Sequence, residues 1–510
     1  MRSPQNQLVP VDNWMKLDRF LILGSEAGTY HVTEQPLTTE NAIAVQDCLK
    51  QDGLRVVKAT IDASSSGRAP KNDPALFVLA LSASPQFADS KTNSAALAAL
   101  PAVARTAAHL STYAAFISEL RGWGRGLRSA IGDWYANHPV KELAYQLVKN
   151  KSRNGWQHRD LLRMAHPQPE TAAHGALFQW AVKGELPSAA AQHQELRQLH
   201  AFERAKKVAD ESELIRLIET YGLTQEMIPS EWKNSPPVWE ALLDSMPYAT
   251  LLRNLGELTA VGVLGPLSDV TALTVLRLTD RQRIARSEIH PVALLSALLA
   301  YKQGRAARFG ARGSAWTPLA SVVDALEEAF HVSFDGIEPS GKRIYLALDA
   351  SRSMQETNVS GTPYLTAAMA SAVMGMVIAR TEPDGVIAAF DERCWYVDIT
   401  KRTTLDGASA AIEREHGWAD ASLPIMDALS RQLTVDAFVI LTDNKTWAGD
   451  EHPLHALQVY RAATGIAAKL VVVAMAAKHL PITGSNDALQ MDVAGFDASV
   501  PGVIADFIRQ

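Results

Sequence analysis

The sequence has few cysteines and lacks any long apolar run. Two cysteines among 510 residues, Cys48 and Cys394, cannot form a disulfide framework or a multi-cysteine zinc site. No apolar run approaches the roughly 18 residues that span a bilayer, and the first residues contain no signal-peptide core. Hydrophobic residues make up 47% and charged residues 20%, as in ordinary globular proteins. We therefore expect a soluble protein of the cytoplasm.

The sequence also lacks the excess of positive charge that marks many nucleic-acid-binding proteins. Its formal net charge is −6, but residues 341–510 alone hold 14 Lys and Arg against 20 Asp and Glu. Residues 1–340 are therefore neutral, with 35 basic and 35 acidic residues. The net charge thus does not exclude a nucleic-acid partner for the first part of the chain, because positive charge can still be concentrated locally.

Residues 1–340 have the pattern of successive amphipathic helices. Apolar residues recur at intervals of three and four in 251–265 and 291–302, and Pro and Gly mark short connections. The alternation typical of strands is scarce in this part of the chain. An all-helical region of this length rarely has one compact core, so the pattern favours stacked helix pairs of the solenoid type over a bundle.

From residue 341 the pattern changes to short strands that alternate with helices. The strands are KRIYLALD, GVIAAF, DAFVILTD and AKLVVVAM, and helical stretches such as TAAMASAVMGMVIAR lie between them. This alternation predicts a parallel, doubly wound sheet whose sites lie at the carboxyl ends of the strands. The boundary between the two parts falls near 338–343.

Carboxyl and hydroxyl side chains follow two of these strands. Asp349, Ser351 and Ser353 alternate after the first strand, and Asp443 ends DAFVILTD. Oxygen ligands of this kind suit Mg²⁺, and the pattern resembles the metal-ion-dependent adhesion site of the von Willebrand factor A domain. The alternative is that the serines cap the next helix and Asp349 is a turn residue, but the second carboxylate favours a metal site. No nucleophile with a base accompanies the loop, so binding is favoured over metal-dependent hydrolysis.

Two stretches of the helical part concentrate positive charge. Residues 141–166 contain six Lys and Arg against two acidic residues, and residues 277–312 contain eight against two. Clustered cations attract phosphates, and planar side chains beside them stack on unpaired bases. The alternative, a solvated helix face, is the commonest fate of such a charge run. Glycines between the later arginines favour a flexible basic loop there.

Two histidines of the first basic stretch, His158 and His166, stand eight residues apart. This spacing is about two helical turns, so a continuous helix places both on one face. Without other ligands at suitable spacing they do not make a convincing zinc pair. Two roles stay open for them: donors to phosphates or base edges beside Lys149 and Arg153, or buried histidines with satisfied hydrogen bonds.

Several long motifs, in the same order, resemble the Ro autoantigen family, whose members combine a TROVE domain with a C-terminal von Willebrand factor A-like domain. The resemblance extends from Trp14 to the end of the sequence. It implies a ring of HEAT-like helical repeats over 14–338, closed by a doubly wound von Willebrand A-type domain over 341–510. The motifs are LDRFLILGSEAGTYHV, GWGRGLRSAIGDWY, KNKSRNGWQHRDLLRMAH, MPYATLLRNLG, IHPVALLSALLAYK and PSGKRIYLALDASRSM.

The resemblance also implies a function. In this family the outer surface of the ring binds small structured non-coding RNAs called Y RNAs, and the central hole takes single-stranded 3′ ends of misfolded RNAs. This is RNA quality control without catalysis by the protein. Lys149, Arg153 and His166 match family residues at the Y RNA surface, and the other candidates are chosen for their charge. The RNA-binding candidates are Lys149, Lys151, Arg153, His158, Arg159, His166, Arg305, Arg308 and Arg312.

The same resemblance bears on the metal and on the partners. The family adds a threonine ligand from a third loop, but the matching stretch 417–424 has Ala419 at that position, and a methyl group cannot ligate a cation. We expect a divalent cation, Mg²⁺, to bind weakly through the remaining four residues. Bacterial members are linked to exoribonucleases such as polynucleotide phosphorylase, and the ring is made within one chain. We therefore expect a monomer within a ribonucleoprotein and no membrane partner; the competing function is a metal-dependent protein-adhesion scaffold.

Overall fold

The structure is a computed structural model that describes residues 8–33, 35–305, 315–359, 364–413, 419–443, 452–476 and 487–510. Within these residues a long helical part precedes an α/β part, with short 3₁₀ turns between some helices. The helices of the first part are α1 (Asn13–Leu23), α2 (Ile43–Ser65), α3 (Asp73–Ser82), α4 (Ser90–Ala98), α5 (Leu100–Val103), α6 (Ala107–Leu120), α7 (Arg125–Ala136), α8 (Val140–Lys149), α9 (His158–Ala165), α10 (Ala172–Lys183), α11 (Arg197–Ala205), α12 (Glu211–Tyr221), α13 (Pro236–Ser245), α14 (Tyr248–Ala260), α15 (Asp269–Thr279), α16 (Arg281–Ser287), α17 (Pro291–Lys302) and α18 (Ala320–Ser333).

The strands and the remaining helices belong mainly to the C-terminal part. Two strands, β2 and β3, form a separate small hairpin between α8 and α9. The strands are β1 (Thr29–His31), β2 (Ser152–Arg153), β3 (Trp156–Gln157), β4 (Ile344–Asp349), β5 (Val386–Phe390), β6 (Cys394–Tyr396), β7 (Ala437–Thr442), β8 (Lys469–Ala474) and β9 (Gln490–Ala494). The helices are α19 (Arg352–Glu356), α20 (Ala367–Thr381), α21 (Leu405–Ile412), α22 (Leu423–Ser430), α23 (Pro453–Thr464) and α24 (Val500–Arg509).

The helices begin and end at residues that satisfy their free backbone groups. Asp12 accepts a hydrogen bond from the backbone of Met15 at the start of α1, and Thr106 does the same for His109 in α6. Gly184 and Gly222 end α10 and α12 in the left-handed conformation, with φ of 80° and 64°. These local signals divide the helical part into short helices joined by tight connections.

Each helix of the first part packs mainly on helices close to it in sequence. α2 contacts α1 and α3, α10 contacts α8 and α9, and α12 lies between α11 and α13. Further along the chain, α14 packs on α17, and α18 packs on α15, α16 and α17. Neighbour-to-neighbour packing of this kind confirms the stacked helices that the sequence predicts.

A single seven-stranded sheet forms the centre of the α/β part, in the order β1-β9-β8-β7-β4-β5-β6. All neighbouring pairs are parallel except β5 and β6, which are antiparallel. Every residue of β4, β7 and β9 is buried, as expected for strands covered by helices on both faces. The predicted parallel sheet is therefore confirmed, and the four strands expected from the sequence are β4, β5, β7 and β8.

The edge strand β1 comes from the N-terminal segment and not from the α/β part. Residues 29–31 run parallel to β9, with Tyr30 opposite Val493, and Tyr30 is buried. At the other end of the helical part, α17 contacts α20, and the Glu382 carboxylate accepts hydrogen bonds from the backbone of Ser340 and Gly341. The helical part thus starts and ends on the α/β part and closes with it into a ring.

None of the helices within the described ranges is both long and apolar enough to cross a membrane.

Candidate nucleic-acid interface and metal site

The end of α8, the β2–β3 hairpin and α9 follow one another in the chain and contain the first stretch of concentrated positive charge. Asn154 and Gly155 make the hairpin turn, with φ of 51° and 79°, the pair of positive angles that a two-residue type I′ turn requires. The Asn154 amide donates to the Thr112 hydroxyl of α6 at 3.1 Å, and Trp156 packs against Trp123 with ring centroids 5.2 Å apart. The hairpin is therefore fixed on the body of the helical part.

Five of the candidate RNA-binding side chains are exposed on this segment. Lys149 lies in the last turn of α8 with its amine 5.7 Å from the centroid of the Tyr145 ring. His166 follows α9 in the left-handed conformation, with φ of 47°, so it ends the helix and does not continue it. We call these five residues the basic segment: Lys149, Lys151, Arg153, Arg159 and His166.

His158 does not belong to this exposed group. Its side chain is 5% exposed, and its Nδ1 lies 2.7 Å from the Tyr135 hydroxyl. Burial lowers the pKa of His158 to about 4, although the nearby Asn150 carbonyl raises it slightly. In this conformation the ring is neutral and lies below the surface, so the structure favours the buried role over the surface role and corrects the expected placement beside His166.

Of the basic loop candidates, only Arg305 can be placed. It is exposed, pairs by one β-bridge with Ala315, and follows α17. It borders a cavity of about 780 Å³ together with Arg253, Trp316 and Ala498 of the α/β part. Arg308 and Arg312 lie outside the described residues. The structure thus does not place Arg305 on the basic segment but at the junction between the helical part and the α/β part.

The proposed metal ligands converge at the carboxyl ends of β4 and β7. These strands are paired, with Leu348 opposite Leu441, so Asp349 and Asp443 follow adjacent strands. The two carboxylates are 1% and 2% exposed. Ser351 and Ser353 lie on the loop after β4 with their hydroxyl oxygens 3.1 Å apart. The structure therefore brings together all four residues that the sequence analysis selected.

Two threonines that the sequence analysis missed hold these carboxylates. The Thr442 hydroxyl donates to Asp349 Oδ2 at 2.6 Å, and the Thr357 hydroxyl donates to Asp443 Oδ2 at 3.4 Å. The backbone N–H of Ser351 donates to Asp349 Oδ1 at 2.8 Å. Thr442 could have been found from the sequence, because it directly precedes the strand-end residue Asp443 and the ends of adjacent parallel strands lie at one edge of the sheet. Thr357 lies in a loop that has no such pattern.

The electrostatics of the site fit a divalent cation. Burial raises the pKa of Asp349 to about 6, and the neighbouring negative charge of Asp443 adds to the effect. A cation relieves this cost, and carboxylate and hydroxyl oxygens are suitable ligands for Mg²⁺. Among the described residues no group of three or more His, Cys, Asp or Glu side chains is arranged to hold a metal, so hydroxyls and waters must complete any coordination.

Ala419 lies at the same edge of the sheet. The backbone of the next residue, Asp420, donates to the carbonyl of Asp391 at 3.1 Å, and Asp391 directly follows β5, the other neighbour of β4. Ala419 is 4% exposed. The loop thus comes to the edge where a third ligand is expected, but its residue there is an alanine, which is part of an apolar cluster with Tyr345 and Phe390.

Two family models match this chain. The model described as TROVE domain matches residues 2–302, and the one described as Ro60 vWA domain matches residues 343–508. Among curated proteins, the Deinococcus radiodurans protein named RNA-binding protein RO60 is 39% identical over 504 residues, which cover 98% of this chain and 93% of that protein. The Caenorhabditis elegans protein of the same name is 33% identical over 575 residues, covering 98% and 88% of the two chains.

A solved structure is similar over almost the whole length. The crystal structure of the Deinococcus radiodurans RO (RSR) protein superimposes with a TM-score of 0.91 at 38% sequence identity, covering 98% of this chain and 99% of that one. The similarity includes both the helical part and the α/β part. The two curated relatives are named as RNA-binding proteins and not as enzymes.

Proposed function

Since this chain belongs to the Ro60 family of TROVE-domain proteins, we propose that it is an RNA-binding protein of non-coding RNA quality control. Small structured, Y-like RNA binds on the outer surface, and single-stranded 3′ ends of misfolded RNA enter the ring. The protein performs no catalysis itself. The observation that carries this proposal is the basic segment, five exposed cationic or imidazole side chains on three consecutive elements.

The basic segment suits a phosphate backbone better than it suits a protein partner. Lys149, Lys151 and Arg153 follow one another closely in the chain, and all are exposed. Among the residues that the structure describes, the ion-pair partner of Arg159 is its neighbour Asp160, at 3.5 Å and with 48% of the Arg159 side chain exposed. This interaction has little energetic value, and a phosphate displaces it easily. Such an array binds through counterion release and does not read the base sequence.

We propose that a second RNA-binding site lies at the junction near Arg305. There Arg253 and Arg305 flank a cavity that includes Trp316, which combines cations with an aromatic surface for stacking. A closed ring admits a single strand more readily than a duplex, because an A-form helix is far wider. Selection of misfolded RNA then depends on a free unpaired end.

The proposal of two RNA-binding sites predicts which of two simple RNAs the protein binds more tightly. We expect the full chain to bind a hairpin with a single-stranded 3′ tail more tightly than the same hairpin with a blunt end, because only the tail reaches the ring. Fluorescence anisotropy between 50 and 200 mM salt measures both affinities, and each is expected to fall steeply as salt rises. Equal affinities for the two hairpins, or affinities that do not change with salt, would refute the proposal.

We further propose that Asp349, Ser351, Ser353 and Asp443 hold Mg²⁺ through few protein ligands, so that an open coordination position accepts a carboxylate of a protein partner. An exoribonuclease such as polynucleotide phosphorylase is the proposed partner, with the Y-like RNA as the tether. The protein is proposed to act in the cytoplasm as a monomer within a ribonucleoprotein. A metal-dependent adhesion scaffold without RNA is the second candidate function, favoured only by this carboxylate edge.

The missing threonine predicts that Mg²⁺ binds weakly and that the affinity can be restored. We expect Ala419→Thr to tighten Mg²⁺ binding about tenfold, since one added oxygen completes a coordination position. Isothermal calorimetry on the full chain measures the change. Ala421→Thr, which adds the same group two residues further along at a position that is also buried, is the matched control and is expected to show no gain. An equal result for both variants would disprove the assignment of Ala419 to the metal edge.

A further inference from the structure

A small cavity lies beside the basic segment and is not used by the proposed function. It measures about 300 Å³ and is formed where the start of α9 meets the ends of α10 and α11. Leu147, Phe202 and Trp180 give it an apolar and aromatic lining, while its rim carries four cations. The cations are Lys151, Arg159, Lys183 and Lys206.

The aromatic lining is held in place by polar contacts at its back. The Trp180 indole N–H donates to the Glu203 carboxylate at 2.8 Å, which fixes the plane of the ring. The Lys206 amine bonds to the same carboxylate and lies 4.4 Å from the centroid of the Phe202 ring. Because these partners orient the aromatic side chains before any ligand arrives, little entropy is lost on stacking.

The cavity also contains a buried polar atom that makes no hydrogen bond of standard geometry with the described residues. His158 lines it, is 5% exposed, and uses Nδ1 toward the Tyr135 hydroxyl. Its Nε2 is buried, has the Asn150 carbonyl nearby, and makes no hydrogen bond of standard geometry with any described residue. Leaving a buried polar atom without a well-formed hydrogen bond is unfavourable, and a neutral imidazole nitrogen serves as donor or acceptor according to the tautomer. A ligand with a polar edge would satisfy this atom.

The rim connects the cavity to the basic segment. Lys151 and Arg159 belong to both. Lys183, in the last turn of α10, is exposed and forms no ion pair with the part of the chain that the structure describes. An RNA backbone that follows the basic segment therefore passes the mouth of the cavity.

We propose that this cavity receives one unpaired nucleotide of the bound RNA, with its base stacked on Trp180 and hydrogen-bonded to His158, and its flanking phosphates at Lys151 and Lys183. The inference rests on the proposed RNA-binding function and adds to it a subsite for a bulged base. The size is at the lower limit for ligand pockets, so it fits a single base. Cations around an aromatic lining favour a nucleotide over an apolar ligand, and unpairing costs least where the base is already bulged.

The direct test is a photo-crosslink on the unaltered full chain. The probes are an RNA hairpin with one bulged 5-iodouridine and the same hairpin with that nucleotide paired. Irradiation of the bulged complex is expected to join the RNA to the peptide that contains Trp180, and the paired hairpin is expected to give no such product. Mass spectrometry locates the crosslink. If the bulged hairpin binds but crosslinks elsewhere, the subsite is refuted while the proposed function stands; if neither hairpin binds, the proposed function fails first.

Affinity measurements give an independent test. Trp180→Leu is expected to weaken binding of the bulged hairpin about tenfold, as for the loss of one stacked base, and to leave the paired hairpin unchanged. Lys183→Gln is expected to lower the salt exponent for the bulged hairpin by about one. Lys207→Gln removes an exposed lysine outside the cavity and is expected to change neither. If Trp180→Leu does not fold, Lys183→Gln decides, and equal losses for both hairpins overturn the subsite.

Discussion

Replacing Lys149, Arg153 and His166 together by alanine is expected to weaken the binding of structured Y-like RNA about a hundredfold at 0.15 M salt. All three side chains are exposed on the basic segment. Each phosphate contact of Lys149 and Arg153 contributes a salt exponent of about 0.9, equivalent to about fivefold in affinity at this salt concentration, so the two give about 25-fold. Loss of a hydrogen bond from the His166 imidazole, about fourfold, brings the total to about a hundredfold. Electrophoretic mobility shift or anisotropy with a folded RNA hairpin measures the loss. The salt exponent should fall by about two in the same experiment, because only the lysine and the arginine are permanent cations.

The triple variant should leave the binding of a single-stranded 3′ end almost unchanged, because the proposed entry of that end lies near Arg305. A matched control removes three other exposed cations of the helical part, Lys58, Lys91 and Arg216, and is expected to change structured RNA affinity by less than about threefold, the effect of general charge alone. If both triple variants lose affinity equally, binding is non-specific. If the first variant loses structured and single-stranded RNA equally, the proposal of two RNA-binding sites is wrong.

The sequence predicts the strands of the sheet well because each is a short, fully buried run. KRIYLALD and DAFVILTD correspond to β4 and β7, and their terminal carboxylates meet because parallel neighbours end at one edge. The edge strand β1 has no comparable signal. It has only three residues, and its partner β9 lies more than 450 positions away in the sequence. No local sequence pattern therefore predicts that β1 pairs with β9. Closure of the ring is a property of tertiary contacts alone.

The placement of the two histidines was open in the sequence for a different reason. His158 has Leu161 and Leu162 three and four residues later, and both are buried, so helical spacing could have assigned His158 to the apolar face. His166 would share that face only if α9 continued to it. The helix ends at Ala165 and His166 adopts φ of 47°, which turns the chain outward. Asn154-Gly155 is likewise a pair typical of a β-hairpin turn. Because the two strands beside it have only two residues each, the sequence alone indicates no more than a break between helices.

A buried ion pair lies beneath the N-terminal segment, where the helical part closes onto the α/β part. Arg461 and Asp487 are 2% and 1% exposed and form a salt bridge. The Asp487 backbone carbonyl accepts a hydrogen bond from Arg19 of α1 at 2.6 Å, and its carboxylate accepts from the backbone of Val9 at 3.4 Å. One aspartate thus connects the interior of the α/β part to the segment that leads into β1.

Asp487→Ala is expected to lower the free energy of unfolding by about 3–5 kcal/mol, because it removes the buried carboxylate that pairs with the buried Arg461 guanidinium. Urea unfolding followed by circular dichroism measures the loss. The matched control is Asp506→Ala, which removes one of the two carboxylate partners of Arg68 and so breaks an ion pair that joins the helical part to the α/β part. Because that pair is partly exposed, with side chains 33% and 24% accessible, its loss should cost no more than about 1 kcal/mol.

A double variant distinguishes the effect of the buried charges from the effect of the hydrogen bonds that the Asp487 carboxylate accepts. Arg461→Met with Asp487→Leu removes both charges and fills the space with apolar side chains, so it should recover most of the stability that Asp487→Ala loses, since an apolar pair needs no counter-charge. The contacts of the carboxylate with Val9 are absent from both variants. If the N-terminal segment depends on those contacts, limited proteolysis will cut it faster in both variants, whatever their stability. A double variant as unstable as Asp487→Ala would show that the hydrogen bonds that the Asp487 carboxylate accepts from Val9, Leu489 and Gln490, and not its pairing with the buried charge, account for the loss of stability.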